Sequence, residues 1–255
     1  MKDALGDRMK VNYEDRTRIS LPRRSYTIIR IDGKAFHTYT KGLTRPFDDG
    51  LIDDMDATAA YLCKNIMGAK FAFVQSDEIS ILLTDFDEIG TQAWFDNNLQ
   101  KMCSVSASIA TSSFNGQRLN RYLNKELGEE MKWAQFDSRV FQIPQKAEVE
   151  NYFIWRQNDT VRNSISSVAQ SLYSHKELNG KNTSEQQELI FQKGTNWNDF
   201  APKYKRGRMI IKESYEKASE DDKGQTAMRT RWVSVEVPIF TQDRSFLTER
   251  IPNNF

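Results

Sequence analysis

Residues 25–37 read SYTIIRIDGKAFH. The run SYTIIRID (25–32) is rich in β-branched and aromatic residues and is bounded by Pro22 and Gly33, which predicts a strand. Its last residue, Asp32, precedes a glycine, and an Asp-Gly pair ordinarily marks a turn. Lys34 and His37 stand just beyond. A strand that ends by presenting a carboxylate is either a plain turn or a turn built to hold a ligand, and the pair alone leaves both open.

The segments downstream restrict the fold. After a polar loop containing GLTRPFDDG (42–50), residues 51–66 place Leu51, Met55, Ala59 and Leu62 on one helical face. MGAKFAFVQSDEISILLTDF (67–86) reads as a hairpin, with strands at Phe71–Val74 and Ile79–Leu83 joined by Gln75–Glu78. Residues 94–114 begin amphipathic and pass into the small-residue run CSVSASIATSSF (103–114), suited to a closely packed helix. A loop is expected next, then a strand at DSRVFQIP (137–144). The order strand, helix, strand, strand, helix, strand predicts an α+β fold of the ferredoxin-like βαββαβ type. In that sheet the first and third strands are central neighbours, so Asp32 and the hairpin carrying Asp77 and Glu78 meet at one edge. Residues 1–145 form this unit. Residues 146–255 are expected to pack on it, with a helix at 148–173, a short helix SEQQELIFQ (184–192), a basic loop running into a strand, and a last strand at 231–240. The segment before residue 20 carries alternating charge, as a helix or an arm.

Composition narrows the partners. The chain has 255 residues, 38% hydrophobic and 28% charged, with net charge +1. That balance gives no global field for nucleic acid or membrane, so any such contact must be local. Cys63 and Cys103 have neither metal-ligand spacing nor the pattern of a disulfide framework, which favours a reducing compartment. The polar opening lacks the apolar core of a signal peptide, and no apolar run is long enough to cross a bilayer. The expectation is a cytoplasmic protein with no membrane partner.

Two aspartates from separate strands suit a hard divalent ion such as Mg²⁺, which takes a few carboxylates together with substrate phosphates. Gly33 permits close backbone approach, and the amides after it can cradle phosphate. Lys34, Lys41 and Arg45 are candidate phosphate partners; ordinary surface charge is the alternative for each. A second cluster lies in WRQNDTVRNSI (155–165), where Arg156, Asp159 and Asn163 share a helical stripe flanked by Gln157 and Arg162. KYKRGR (203–208) is the densest basic patch. With Arg139, Arg156, Arg162 and Lys193 it is a candidate contact for backbone phosphate, the alternative being a solvated surface. Patterns for a Walker A loop, a GxGxxG turn, a nucleophile elbow and an HExxH zinc site are absent from the sequence.

These same residues carry a resemblance. RIDGKAFH (30–37) resembles RxDGxxFH of the tRNA-His guanylyltransferase (Thg1) superfamily. QSDEIS (75–80) resembles its QSDEYS, FDSRV (136–140) its FDGRV, WRQNDTVRNS (155–164) its WRQxDxxxNN helix, and PKYKRG (202–207) its MYRKG. The matches run in order from about residue 25 to about 212, and the sequence is most similar to the bacterial and phage Thg1-like proteins. The resemblance implies a palm domain like that of polymerases and nucleotide cyclases. It implies that Asp32, Asp77 and the Gly33 carbonyl bind two Mg²⁺ ions, with Glu78 adjoining as part of the catalytic centre. Lys34, Ala35, Phe36, His37 and Ser76 would line the nucleotide pocket, and Arg45 and Lys101 would contact triphosphate. Arg139, Arg156, Asp159, Arg162 and Asn163, with Lys203, Lys205 and Arg206 of the basic loop, would face tRNA or a second nucleotide.

The implied activity is 3′–5′ nucleotide addition at the 5′ end of tRNA, with ATP and GTP or another NTP as substrates. Contact with the tRNA 5′ end and acceptor stem and a homotetrameric state are implied as well. One departure stands out. Eukaryotic guanylyltransferases read HINNLYN where this sequence has VRNSISS (161–167), and their histidine position is Val161. That favours templated repair of 5′-truncated tRNA over addition of an extra guanosine to tRNA-His. The competing activities are that guanosine addition, a palm-fold nucleotidyltransferase or cyclase acting on small nucleotides, and RNA binding without catalysis.

Overall fold

The computed structural model describes residues 3–124, 131–218 and 226–254. Strand β1 (Tyr26–Gly33) carries the run of β-branched residues and is paired on both sides. It belongs to a six-stranded antiparallel sheet with β2 (Ala69–Gln75), β3 (Glu78–Leu83), β4 (Phe136–Ile143), β5 (Arg208–Ala218) and β6 (Thr226–Glu236), ordered β4-β1-β3-β2-β5-β6. The expected order of strands and helices is observed, and β1 and β3 are neighbours. Residues 146–254 add two strands to the β2 edge of the same sheet.

Both faces of the sheet are covered, which is why YTII, FAFV and ISILL are buried along their length and largely apolar, with only Thr27 and Ser80 as polar members. On one face Ile29, Ile31, Val74, Ile79 and Ile81 pack against helices α1 (Asp49–Asn65) and α2 (Leu99–Leu123) through Met55, Leu62, Met102 and Phe114. On the other, Tyr26, Ile28, Phe71, Phe73 and Leu82 pack against helix α3 (Lys146–Leu172) and against Val237, Phe240, Leu247 and Ile251 near the C-terminus. Helix α4 (Thr183–Gln192) closes a smaller core, with Ile190 against Ile165, Val168 and Ala169.

Three expectations are corrected by side-chain contacts. Helix α2 begins at Leu99, capped by Asn98 accepting from the Lys101 amide, because residues 95–97 form a left-handed turn. It also continues to Leu123 through Asn115-Gly116, where a loop was expected. Asn115 exchanges two hydrogen bonds with Ala134, and Arg118 and Arg121 both donate to Asp54 on α1, so the segment is tied on two sides. The last strand starts at Thr226 and leaves the sheet after Glu236. There Gln157 takes over the backbone, donating to the Pro238 carbonyl (2.8 Å) and accepting from the Phe240 amide (2.8 Å). The N-terminal segment is helical from Ala4 to Thr17, and from Asp3 to Ser20 every residue but Gly6 is exposed. Among the described residues, no helix is long and apolar enough to cross a membrane.

Phe153, fully buried 4.8 Å from the Phe71 ring, anchors α3 to the sheet. Phe153→Ala is expected to destabilise the protein by about 3–5 kcal/mol in a urea titration. The exposed Phe191→Ala should change stability by no more than about 0.5 kcal/mol.

Candidate active site

At the C-terminal end of β1 the sheet register sets Asp32 opposite Glu78 on β3 and Asp137 on β4. The β2–β3 connection is a two-residue turn, Ser76-Asp77, with Ser76 in the left-handed region (φ 44). The Gly33 amide donates to the Asp77 carbonyl (3.2 Å), so the two ends are joined through backbone. Gly33 cannot be replaced without displacing the Phe36 ring, which lies 2.2 Å from where a Cβ would stand.

Burial, reinforced by the charges of Asp32 and Glu78, pushes the Asp77 carboxyl up to about 6; hydrogen bonds from Ser76 and from its own amide oppose the shift. Among the described residues Asp77 has no ion pair to offset this negative charge. Arg139 reaches only to 3.9 Å from Asp32 and is also shared with Asp137. Among the described residues no group of three or more His, Cys, Asp or Glu side chains forms a metal-binding cluster. Asp32 and Asp77 could offer two carboxylates to a hard divalent cation, which would fill its remaining positions with water or phosphate oxygen.

Glu78 is committed elsewhere. The Arg156 guanidinium donates to both its oxygens at 2.7 Å, and both side chains are buried. Gln75 and Ser80 also donate to Glu78, Tyr152 shares a 2.8 Å hydrogen bond with Ser80, and Thr160 donates to Gln75. Burial pushes the Tyr152 phenol up to about 12, so it stays protonated. Arg156 continues to Asp159 (2.9 Å), which also takes Arg162. The network thus fixes α3 over the carboxylates.

Above the sheet end lies a cavity of 580 Å³ lined by Asp32, Phe36, His37, Ser76, Asp77, Glu78, Arg156, Asp159 and Asn163, all expected from the sequence. A second cavity of 280 Å³ adjoins it and shares His37, Ser76 and Asn163. Its apolar wall is Leu43, Pro46, Phe47 and Leu51, and Arg45, Lys203 and Arg208 supply positive charge. Lys203 pairs with Asp49, which holds the aspartate below and the lysine above their usual values. Arg208 pairs with Asp56 (2.8 Å).

Other expected residues lie outside the cavity walls. Lys34 donates to Gln135, and Ala35 supplies the left-handed residue (φ 54) that starts the helical turn Phe36–Tyr39. Lys101 sits on the first turn of α2 with its amine over the Phe95 ring. The Lys205 amine is buried over Trp197 and donates to the Asn198 carbonyl (2.5 Å), so it pins that turn and does not face outward. Arg162 is exposed on the flank of α3, and Arg206 closes the short helix Pro202–Lys205.

Sequence reasoning passed over Arg30, Gln75, Ser80, Tyr152 and Thr160. Arg30 lines the larger cavity and its Nε is buried without a hydrogen-bond partner. Two-residue alternation along β1 puts Arg30 on the Asp32 face, and the helical period aligns Tyr152 with Arg156 and Thr160.

Comparison with known proteins identifies the family. A family model described as tRNAHis guanylyltransferase (Thg1) matches residues 6–144, more than half of the chain. A bacterial tRNA(His) guanylyltransferase (Thg1)-like protein solved in complex with ATP is 46% identical, with a TM-score of 0.85 over 98% of this chain and 99% of that one. A structure of a bacterial Thg1-like protein in complex with GTP is 45% identical, with a TM-score of 0.80 over 97% and 99%. The tRNA(His) guanylyltransferase of Saccharomyces cerevisiae is 27% identical over 202 residues, 74% of this chain and 83% of that protein. The chain belongs to the tRNAHis guanylyltransferase (Thg1) family of tRNA nucleotidyltransferases, and over nearly its whole length it is similar to bacterial Thg1-like proteins.

Proposed function

We propose that the protein adds nucleotides in the 3′–5′ direction to the 5′ end of truncated tRNA, copying the opposing strand. The observation that carries the reading is the Asp32–Asp77 pair beside a second chamber with cationic and apolar walls. In this reading residues 1–145 are a ferredoxin-like, palm-type catalytic unit, residues 146–255 pack on it, and the working form is a cytoplasmic homotetramer.

The residues divide the chemistry as follows. Asp32, Asp77 and the Gly33 carbonyl hold two Mg²⁺ ions, for which their oxygen donors fit. Mg²⁺ bound there supplies Lewis-acid activation of the attacking oxygen and neutralises charge on the transferring phosphoryl group. The turn Gly33–His37 and Ser76 receive the nucleotide. Arg45 and Lys203, with Arg208 behind them, offset triphosphate charge, and the Leu43–Phe47 wall takes the base. Arg30, which has no ion pair among the described residues, and Arg139 at the rim receive the 5′-phosphate of the RNA. Arg156, Asp159, Arg162 and Asn163 hold the far wall, and Arg206 extends the basic surface toward the acceptor stem.

In the first step a 5′-monophosphate oxygen of the tRNA attacks the α-phosphorus of ATP; the bond to pyrophosphate breaks and the 5′ end becomes adenylylated. In the second, the 3′-hydroxyl of an incoming NTP attacks the 5′-phosphorus, loses its proton, and AMP leaves. Val161 packs toward the Ile165–Ile190 core, so α3 offers no titratable group at that position. This supports templated addition. The names of the relatives favour a second reading, addition of one guanosine to tRNA-His.

The deciding assay offers 5′-monophosphorylated tRNA lacking its first nucleotides, with ATP, all four NTPs and Mg²⁺. Extension that follows the opposing base is expected. Extension by guanosine regardless of that base supports the second reading, and no extension rejects both.

Asp32→Ala and Asp77→Ala should each lower single-turnover addition by about a thousandfold or more, the scale of losing one element of a catalytic centre. The melting temperature should hold, and for Asp77→Ala rise slightly, because a repelling charge is removed. Wild-type rates in either variant would exclude the carboxylates from catalysis.

Asp77 also sets a pH dependence. Its folded pKa lies above the unfolded value of 3.8, so its ionisation is disfavoured in the folded state. Metal-free protein should lose melting temperature as pH rises from about 4 through about 6, and Mg²⁺ should restore it above that range. Below pH 6 a proton competes with the cation, so the Mg²⁺ concentration for half-maximal activity should rise about tenfold per pH unit. A flat Mg²⁺ requirement between pH 5 and 7 would contradict it.

A further inference from the structure

Helix α3 crosses the end of the sheet with Arg156 facing Glu78. Residues 155 and 157 flank Arg156 on opposite sides, each about 100° around the helix. Gln157 turns toward Pro238 and Phe240, and Phe240 packs on Phe73 of β2. Trp155 therefore stands on the other flank, the one over β1 and β4. Its level along the helix is set by Tyr152, which shares a hydrogen bond with Ser80 of β3 and lies 5.6 Å from Phe141 of β4. Two neighbours fix the indole: the Arg156 guanidinium, 4.4 Å from its centroid, and the Tyr152 ring, edge-on at 5.8 Å. Trp155 is nonetheless 48% exposed.

Across the sheet the register sets Arg30 of β1 between Ser80 of β3 and Arg139 of β4. Residues directly opposite each other share a face, so the two arginines stand side by side beneath that flank of α3. Like charges so placed destabilise a sheet. Arg30 has no ion pair among the described residues, and its Nε is buried without a hydrogen-bond partner. Arg139 is about half-exposed, and its nearest carboxylates, of Asp137 and Asp32, lie at 3.5 and 3.9 Å. A phosphate offered to both guanidinium groups relieves the repulsion.

We propose that Trp155 is the stacking platform for the base of the RNA's 5′-terminal nucleotide, whose phosphate Arg30 and Arg139 hold. The inference rests on the reading of those arginines as the 5′-phosphate site. Phosphate contacts carry no sequence information, and an aromatic ring accepts any base because every base has a π-face. Together they grip an RNA end without reading it, which suits an enzyme that meets ends truncated at any position. Contact with a second copy of the chain fits less well. In a two-fold interface the same patch meets itself, so Arg30 and Arg139 would face further positive charge.

A cycle between protein and RNA tests the stack. Wild-type protein and Trp155→Ala are titrated with 5′-monophosphorylated tRNA lacking its first nucleotides, and with the same RNA carrying an abasic 5′-terminal nucleotide. On the intact RNA, Trp155→Ala should bind roughly 5- to 100-fold more weakly, the scale of one base–aromatic stack. The abasic RNA should bind the wild type about as weakly, and the substitution should then cost nothing further. Trp155→Tyr, which keeps a ring, should recover most of the loss. The melting temperature and the affinity for ATP without RNA should hold.

Wild-type affinity in Trp155→Ala overturns the proposal, and so do equal losses on the intact and abasic RNAs. Equal losses with altered sedimentation of the free variant would assign Trp155 to a contact between copies. Should Trp155→Ala not fold, the wild-type protein alone decides: equal affinity for the two RNAs overturns the stack. Removing the 5′-phosphate tests the underlying reading separately. Coupling between Trp155 and the terminal base that persists with no dependence on the phosphate would refute the arginine site and leave the stack standing.

Discussion

The Arg156 guanidinium donates to both oxygens of Glu78 at 2.7 Å, and both side chains are largely buried at the cavity wall. Glu78 opens β3 and Arg156 lies midway along α3, so the pair sets where the helix lies over the sheet end. A bidentate contact fixes orientation as well as distance. Everything on the far wall of the larger cavity follows from it: Asp159 is placed by the same guanidinium, and Asn163 is one helical turn further on. The neighbours of Glu78 complete the constraint. Gln75 and Ser80 also donate to Glu78, and Tyr152 holds Ser80 in turn, so the pair is buried and well satisfied. Removing either partner would strand a buried charge, which is far more costly than never having had the pair.

That commitment also differentiates three carboxylates standing within one sheet end. Glu78 is neutralised by Arg156, Asp32 is open to solvent on one side, and Asp77 is half-buried with two negative neighbours and, among the described residues, no ion pair. Environment, and not residue type, makes Asp77 the group whose protonation responds near pH 6. The site keeps this unrelieved repulsion because the backbone link from the Gly33 amide to the Asp77 carbonyl holds the strands together regardless of charge.

The sheet was legible because its strands are apolar on both faces and bounded by Gly and Pro. The convergence of Asp32 with Asp77 followed from strand order alone. Other features depended on partners distant in sequence. Asn115-Gly116 reads locally as a break, and only Ala134 and Asp54, 19 and 64 residues from their partners, keep α2 helical through it. Gln157 sits in a polar stripe that looks functional, yet its amide serves the backbone at Pro238 and Phe240, 81 and 83 residues away. Lys101 and Lys205 are the opposite case. Their positive charge suggested phosphate, but one stands over Phe95 and the other is buried against a carbonyl, and sequence cannot say which way a long side chain turns. Arg30 went unnoticed because a charged residue inside a strand draws less attention than one at its end.

Arg30 shows how the site and the core are made by one rule. Along β1, Ile29 and Ile31 point to the face covered by α1 and α2, while Ile28, Arg30 and Asp32 point to the face covered by α3. Toward the N-terminal end of the strand both faces are apolar. Over its last four residues, Arg30 to Gly33, only the second face turns polar, and β3 changes in step, from Leu82 to Ser80 to Glu78 on the same face. The cavity is therefore the point where an otherwise continuous core switches chemistry without any change in backbone geometry. Such a site inherits its rigidity from the strands, so the two charged ends of β1 and β3 are held in register by the sheet whatever ligand enters. Tolerance to substitution should differ accordingly between alternate residues of one strand: changes at Ile29 or Ile31 act on stability, and changes at Arg30 or Asp32 act on what the site can bind.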